Sequence, residues 1–565
     1  MRDGHQQGTR TSSKGAAPTM KRRTLLKAGA GVAAGTAAGG FRSALAQEST
    51  PAASPIADAS GYYPSGIPGI PDAYTRFPEV VRSVDDVPGS GGTVTAMVMI
   101  YDAPASDMGS NQYWQGLNER LGVSWEPIQV PNASYGEKAA AIIASGDMPD
   151  LFYLNFNQTL TPLQSFIREG AFVDLTDYLT GDALEEYPNL ATFPDFMWQA
   201  TMTDGRIYGV PCPGGRAGQV GAFRQDWANA LIGGTPTNAE EAMELFTRMT
   251  SDDPDGNGSD DTWGLGRYST SWDMGLFYPM FRVPNGWRVS EDGAFTHQVE
   301  TEEYAMAVAF LRSLNENGAF HPDSAAMGFQ EALELFQSGR VGLHADGGSL
   351  YDSGSSKGFI STIRQYQPDA EVTRLIPFGH DGGQGVTYNL PGIFGFTAIP
   401  FQHEGNDEKI RELLRILNWL SAPYGSEEWL YKNCGIEGTH FEFDENGFPI
   451  TNERYAEENG SLTAYIGGSL GVNAVPSNPE IGPLLTEEAK AIYEIGIDDP
   501  SANLFSETDL AEGSTLSTLV ADTLSNVITG RDDLSALERL PDEWRSRGGD
   551  QIRAEYEEAY AASQT

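Results

Sequence analysis

Thr93–Tyr101, TVTAMVMIY, is an apolar run of β-type residues that begins directly after Gly91-Gly92. A helical pattern follows over Tyr113–Leu121, with Gly122 as its stop. A second β-type run, Val123–Val130, leads into another helical pattern, Tyr135–Ala144. Met148-Pro149 then breaks that helix, because proline disfavours the helical region in the residue before it, and Leu151–Leu154 reads as a short buried strand. Strands alternating with helices predict an α/β fold with mainly parallel sheets. Ligands of such sheets bind outside the carboxyl ends of the strands. Farther along, Leu484–Gly496, Ser514–Gly530 and Asp542–Ala562 read as helices. No internal repeat is visible.

The 565 residues allow two or three domains. Lys and Arg number 36 against 78 Asp and Glu, a net charge of −42, so nucleic acid and anionic membrane surfaces, which need basic residues to neutralise them, are poor partners. Two cysteines, Cys212 and Cys434, are too few for a disulfide framework, although one bridge between them is open to an exported protein. Residues 1–46 read as a targeting segment. Arg22-Arg23 stands ahead of the Gly/Ala-rich stretch Ala28–Gly40, and Ala44-Leu45-Ala46 offers a cleavage site. The pattern is that of a twin-arginine signal, and it predicts a periplasmic or extracellular location. No cysteine near this site could carry a lipid anchor. Residues 47–90 are rich in Pro, Ser, Ala and Gly and read as a linker, with the folded part starting near Gly91.

Several phrases recur in a known order. They are Ala144-Ser145-Gly146-Asp147-Met148-Pro149-Asp150, Gly170-Ala171-Phe172-Val173-Asp174-Leu175, and Asp204-Gly205-Arg206-Ile207-Tyr208-Gly209-Val210-Pro211. Phe223-Arg224-Gln225-Asp226-Trp227, Pro236-Thr237-Asn238-Ala239-Glu240-Glu241, Asn418-Trp419-Leu420 and Gly435-Ile436-Glu437-Gly438-Thr439-His440 follow. Physically these are structural signals. Asp204-Gly205 is a hairpin turn, and Thr237 or Asn238 can cap a helix whose first turn carries two glutamates. Taken together, their order and spacing resemble the extracellular solute-binding proteins of family 1, in the variant used for oligosaccharides and uronate-type sugars. The resemblance covers most of residues 91–562. It implies a two-lobed periplasmic-binding-protein fold of type II, with a hinge and a ligand cleft between the lobes. Lobe one would be 91–213 plus 376–435, and lobe two 220–375 plus 436–565. The implied function is capture of a carbohydrate by hinge closure and delivery to the permease subunits of an ABC importer, by a monomer without catalytic residues.

Rough alignment to sugar-binding relatives, the maltose-binding proteins among them, points to Asp102 after the first strand and to Asn155 and Asn157 after Leu151–Leu154. It also points to Trp272 in the loop Tyr268–Asp273, to Asp346 and Tyr351 after Val341–Ala345, and to Tyr388 near a lobe crossing. Asp253-Pro254-Asp255-Gly256-Asn257-Gly258-Ser259-Asp260-Asp261 has the spacing of a calcium-binding loop, with oxygens from Asp253, Asp255, Asn257, Ser259 and Asp261. Gly264 stands where that pattern needs a bidentate glutamate. Some oligosaccharide-binding relatives carry a calcium ion at this place, and its expected role is structural. The rival readings are a peptide or metal-chelate binder of the same fold and an exported glycosidase or esterase. Gly354-Ser355-Ser356-Lys357-Gly358 has nucleophile-elbow spacing, but it lies in a Gly/Ser-rich loop and not between a strand and a helix.

Overall fold

The computed structural model describes residues 57–101, 103–155, 161–267, 276–346, 348, 350–351, 358–502 and 504–564. The segment read as a twin-arginine signal, Ser356 and the candidates Asp102, Asn157 and Trp272 therefore lie outside the described residues. Two sheets carry the fold. Their strands are β1 Thr93–Ile100, β2 Ser124–Pro131, β3 Leu151–Asn155, β4 Val210–Pro213, β5 Gly221–Arg224, β6 Trp263–Leu265, β7 Val341–His344, β8 Val372–Leu375 and β9 Ile393–Ala398. Sheet one has the order β2-β1-β3-β9-β4 and sheet two the order β6-β7-β5-β8. The expected parallel pairs form between β1 and β2 and between β1 and β3. Strand β9 runs antiparallel to both β3 and β4, and sheet two has one parallel pair and two antiparallel ones. The sheets are therefore mixed, because the chain returns to sheet one from lobe two and enters it from the opposite direction.

Local signals placed the first helices well. Gln112–Leu121 starts where the Asn111 side chain accepts the Trp114 N–H, and ends at Gly122, whose φ of 69° suits a residue without a side chain. It buries Tyr113, Leu117 and Leu121, spaced four apart along one face. Asn238 caps Ala239–Ser251 by accepting from the N–H groups of Glu240 and Glu241. Asp204 and Gly205, with φ of 52° and 76°, turn the hairpin between Met202–Thr203 and Arg206–Ile207. The long C-terminal helix expected over Asp542–Ala562 is broken: Ser535–Trp544 and Asp550–Ser563 meet at a kink where Gly548 has a φ of 126°. No helix among the described residues is long and apolar enough to cross a membrane.

Two expected boundaries move. The described part of the expected linker is folded: Tyr62–Tyr63 pairs with Asp72–Tyr74, which in turn pairs in parallel with Val472–Asn473. Ile70, Ala73 and Phe77 are buried, and Glu428 accepts both the N–H and the hydroxyl of Ser83. The lobes also divide the chain differently. Tyr455, Leu462 and Ile466 belong to the core of lobe one, while Phe378 and Tyr388 pack against the core of lobe two. A buried network explains the first shift: Glu458 accepts the Tyr113 N–H at 3.0 Å and lies 3.1 Å from His440 Nε2. Residues 436–470 are thereby fastened to lobe one. Cys212 and Cys434 are both buried and free.

Asp150, the last residue of the first family phrase, shows what that phrase does. It accepts the Thr95 N–H and hydroxyl, each at 2.8 Å, and pairs with His403 Nε2 at 2.9 Å. Burial alone would raise its carboxyl, but these partners outweigh burial and hold it down to about 2, from 3.8. A depressed pKa contributes stability that is complete above the unfolded value and is lost as pH falls through the folded one. Asp150→Asn should therefore cost about 2 kcal/mol at neutral pH and flatten the loss of stability between about pH 4 and pH 2. Urea melts across that window check it. An unchanged acid limb would show that Asp150 is not coupled to folding.

Candidate ligand-binding site

Strand direction fixes where a ligand can sit. β1, β3 and β4 end at one edge of sheet one, and β9 begins there, with Gly395 opposite Asn155 and Ile393 opposite Pro213. The chain leaves this edge at 214–220 and returns to it after 376–392. Both crossings reach sheet two at a single edge: Gly221 pairs with Leu375, and Ala222 pairs with His344 at the end of β7. The Gln219 amide donates to the Ala345 carbonyl, tying the first crossing to the loop after β7. The carboxyl ends of two strand sets thus flank the connections between the lobes, as in open α/β sheets that bind ligands.

An aromatic shelf lies on the edge of sheet one. Tyr101 follows β1 and is 59% exposed, and Phe394 at the start of β9 is 55% exposed. Tyr465 joins them, with its ring 6.5 Å from Tyr101 and 6.2 Å from Phe394 at 85°. Beneath it Tyr153 stacks on Tyr465 at 5.0 Å and donates to the Phe394 carbonyl at 3.1 Å. Gly395 permits this arrangement, because a Cβ there would collide with the Leu154 carbonyl. Exposed rings held rigidly from below are suited to stacking on an apolar ligand face.

The candidates from the sequence fall at different places. Asn155 is buried at the foot of the shelf, its amide 3.3 Å from the Tyr153 hydroxyl. Asp346 stands on the facing edge after β7, where its carboxylate accepts the Gly348 N–H at 2.9 Å. Under it, burial pushes the His344 ring down to about 4, so that ring is neutral. Tyr351 is half-buried on the small cluster of Leu350 and Phe359, and burial raises its hydroxyl. Tyr388 packs into lobe two and spends its hydroxyl on the Val283 carbonyl at 2.9 Å, the contact of a packing residue. The structure thus brings Asn155 to one edge and Asp346 and Tyr351 to the other. Tyr101, Phe394 and Tyr465 were missed in the sequence.

The acidic loop follows the helix Ala239–Ser251. Asp253 Oδ2 accepts the Gly258 N–H at 2.9 Å, while its Oδ1 is buried with no hydrogen-bond partner among the described residues. The Asn257 amide nitrogen donates to Asp255 at 2.9 Å and to Asp261 at 3.0 Å, standing where the charge of a cation would stand. Burial, then the nearby Asp253 and Asp261, raise the Asp255 carboxyl. The Ser259 N–H is bonded to the Asn257 side-chain oxygen at 2.7 Å. Gly264 cannot be the missing glutamate, since a Cβ there would collide with the backbone of Phe246. Among the described residues no group of three or more His, Cys, Asp or Glu is arranged to hold a metal ion. The donor types fit a hard cation. The twelfth position does not.

Comparison with known proteins places this geometry. A family profile described as bacterial extracellular solute-binding protein matches residues 105–401. The chain is 25% identical over 484 residues to the polygalacturonan/rhamnogalacturonan-binding protein YtcQ of Bacillus subtilis (strain 168), covering 82% of this chain and 90% of the relative. It resembles the solved structure of the S. pneumoniae ABC-transporter substrate-binding protein FusA in complex with kestose, at a TM-score of 0.62 and 16% identity over 84% of this chain and 99% of that one. The alginate-binding protein AlgQ2, solved without calcium ion, is similar at a TM-score of 0.59 and 14% identity, over 86% and 100% of the two chains. These structural likenesses are likenesses of fold.

Proposed function

The chain belongs to the bacterial extracellular solute-binding proteins, and on that premise we propose that it captures an oligosaccharide between its lobes and delivers it to an ABC importer. The observation that carries this reading is the aromatic shelf of Tyr101, Phe394 and Tyr465 at the strand edge from which both lobe crossings leave. A pyranose offers an apolar C–H face to such rings, and Asn155, Asp346 and Tyr351 supply polar groups at the two edges for its hydroxyls. Trp272, Asp102 and Asn157 are proposed to complete the same site. Closure of the lobes about 214–220 and 376–392 would bury the sugar and present one conformation to the permease. The sugar-binding relatives support a carbohydrate over a peptide. In this reading the protein is a carrier without turnover. Export by the twin-arginine route is part of the proposal. Replacing both Arg22 and Arg23 by Lys should leave precursor in the cytoplasm, and normal export of that variant would contradict it.

A structural calcium ion at Asp253, Asp255, Asn257, Ser259 and Asp261 is also proposed. Its support is the Asp253 oxygen that has no hydrogen-bond partner among the described residues, and the carboxylates crowded around the Asn257 amide. The ion would neutralise those charges and pin the loop, and rotation of the Asn257 amide would turn its oxygen inward. A ligand that binds only the folded state stabilises it by about 2.7 kcal/mol at a hundred times its Kd. Chelation should therefore lower the melting temperature, and Asp255→Ala should erase that response. A melt indifferent to chelator, with no metal in elemental analysis, would leave a solvated acidic loop.

A further inference from the structure

A cavity of about 610 Å³ lies inside lobe two, walled by that lobe's own elements. Its wall is aromatic: the Trp287 ring is 5.6 Å from Trp544 and 5.7 Å from Tyr556, and Tyr304 lines the same space. One face of the helix Glu507–Ile528 borders it with Gly513, Ser517 and Ala521, whose small side chains leave the volume open. Two carboxylates reach in. Asp509 is held by the Tyr556 hydroxyl at 2.9 Å, and Asp499 by the Ser501 N–H at 2.8 Å and its hydroxyl at 2.7 Å. Glycines make room for both: a Cβ on Gly513 would lie 2.5 Å from Asp509 Oδ1, and one on Gly286 would lie 3.3 Å from Asp499 Oδ2.

Neither acid has a basic ion-pair partner among the described residues. Arg553, whose guanidinium sits 5.9 Å over the Trp544 ring, is committed to Glu300 and Asp550. Burial raises both carboxyls, and each acid is raised further by a neighbouring carboxylate, Asp499 by Asp509 and Asp509 by Glu555. Tyr304, only 2% exposed, packs its ring 5.4 Å from that of Tyr278, and the two hydroxyls interact. The cavity therefore combines aromatic faces and uncompensated negative charge.

We propose that this cavity is a second ligand site, for a small organic cation clad in methyl or methylene groups. Aromatic faces attract such a cation, and Asp499 and Asp509 neutralise it. A bare metal ion would leave the aromatic walls unused. A neutral sugar would leave the repulsion between the acids unrelieved. Calorimetry with choline tests the idea, with 3,3-dimethylbutan-1-ol as a probe of the same shape and no charge. On the wild-type protein, choline should bind saturably and the alcohol at least tenfold more weakly. Asp509→Asn should weaken choline tenfold or more, and Ser517→Phe, which fills the cavity, should abolish its binding. Both variants should keep their affinity for the oligosaccharide, which also shows that they are folded. Equal binding of the alcohol, no binding of choline to the wild type, or displacement of choline by the oligosaccharide would each overturn the proposal.

Discussion

The double variant Tyr101→Ala with Phe394→Ala is expected to bind its oligosaccharide about 30- to 1000-fold more weakly than the wild type. Each ring loses a stacked sugar face worth about 1–2 kcal/mol, and each 1.4 kcal/mol is tenfold in affinity. Stability of the unliganded protein should barely change. The two rings are 59% and 55% exposed, so their removal opens no cavity, and substitutions at such positions stay within about 0.5 kcal/mol. The rigid support remains, because Tyr153 still stacks on Tyr465. Calorimetric titration and a thermal melt of the same sample separate the two effects. Trp272→Ala in the same assay shows whether that indole shares the load. Unchanged affinity in the double variant would mean that the shelf is not where sugar binds, and a collapsed melt would mean that the rings are packing residues.

Asn418→Ala is expected to cost about 2–5 kcal/mol of stability without touching the ligand. Asn418 is 3% exposed, on the helix Asp407–Leu420. Its side-chain oxygen accepts the N–H groups of Asn189 and Leu190, at 2.8 and 3.3 Å. Those donors begin the turn at Leu190–Thr192. Alanine would leave two buried N–H groups unpaired, each at about 1–3 kcal/mol, and would open a small void. Denaturant unfolding measures the loss. A change below about 0.5 kcal/mol would show that water or a shifted backbone replaces the amide.

What could be read in the sequence was local. Gly122, Asn238 and the Asp204-Gly205 turn each act within a few residues, so their roles were visible without a partner. Contacts across long separations were not. The segment after residue 57 looks like a linker by composition, yet it is ordered by pairing with Val472–Asn473. Residues 436–470 join lobe one because Glu458 reaches Tyr113, a contact that no spacing reveals. The shelf was hidden for a different reason. Tyr101 closes an apolar run and Phe394 sits in Ile-Phe-Gly-Phe, so both look like core. The one available hint was Gly395, a glycine interrupting a strand of large residues, which often marks a close backbone approach. Tyr388 shows the converse: its position near a crossing suggests the cleft, while its hydroxyl donates to the Val283 carbonyl within lobe two.

The proposed carrier binds an oligosaccharide at the interlobe edges and leaves it intact. The most direct measurement is calorimetric titration of the exported protein with a panel of oligosaccharides, uronate-containing ones included, followed by chromatography of the recovered sugar. Saturable binding of at least one oligosaccharide is expected, one per protein, with the sugar recovered unchanged. No binding to any member of the panel, or recovery of shortened products, would contradict it.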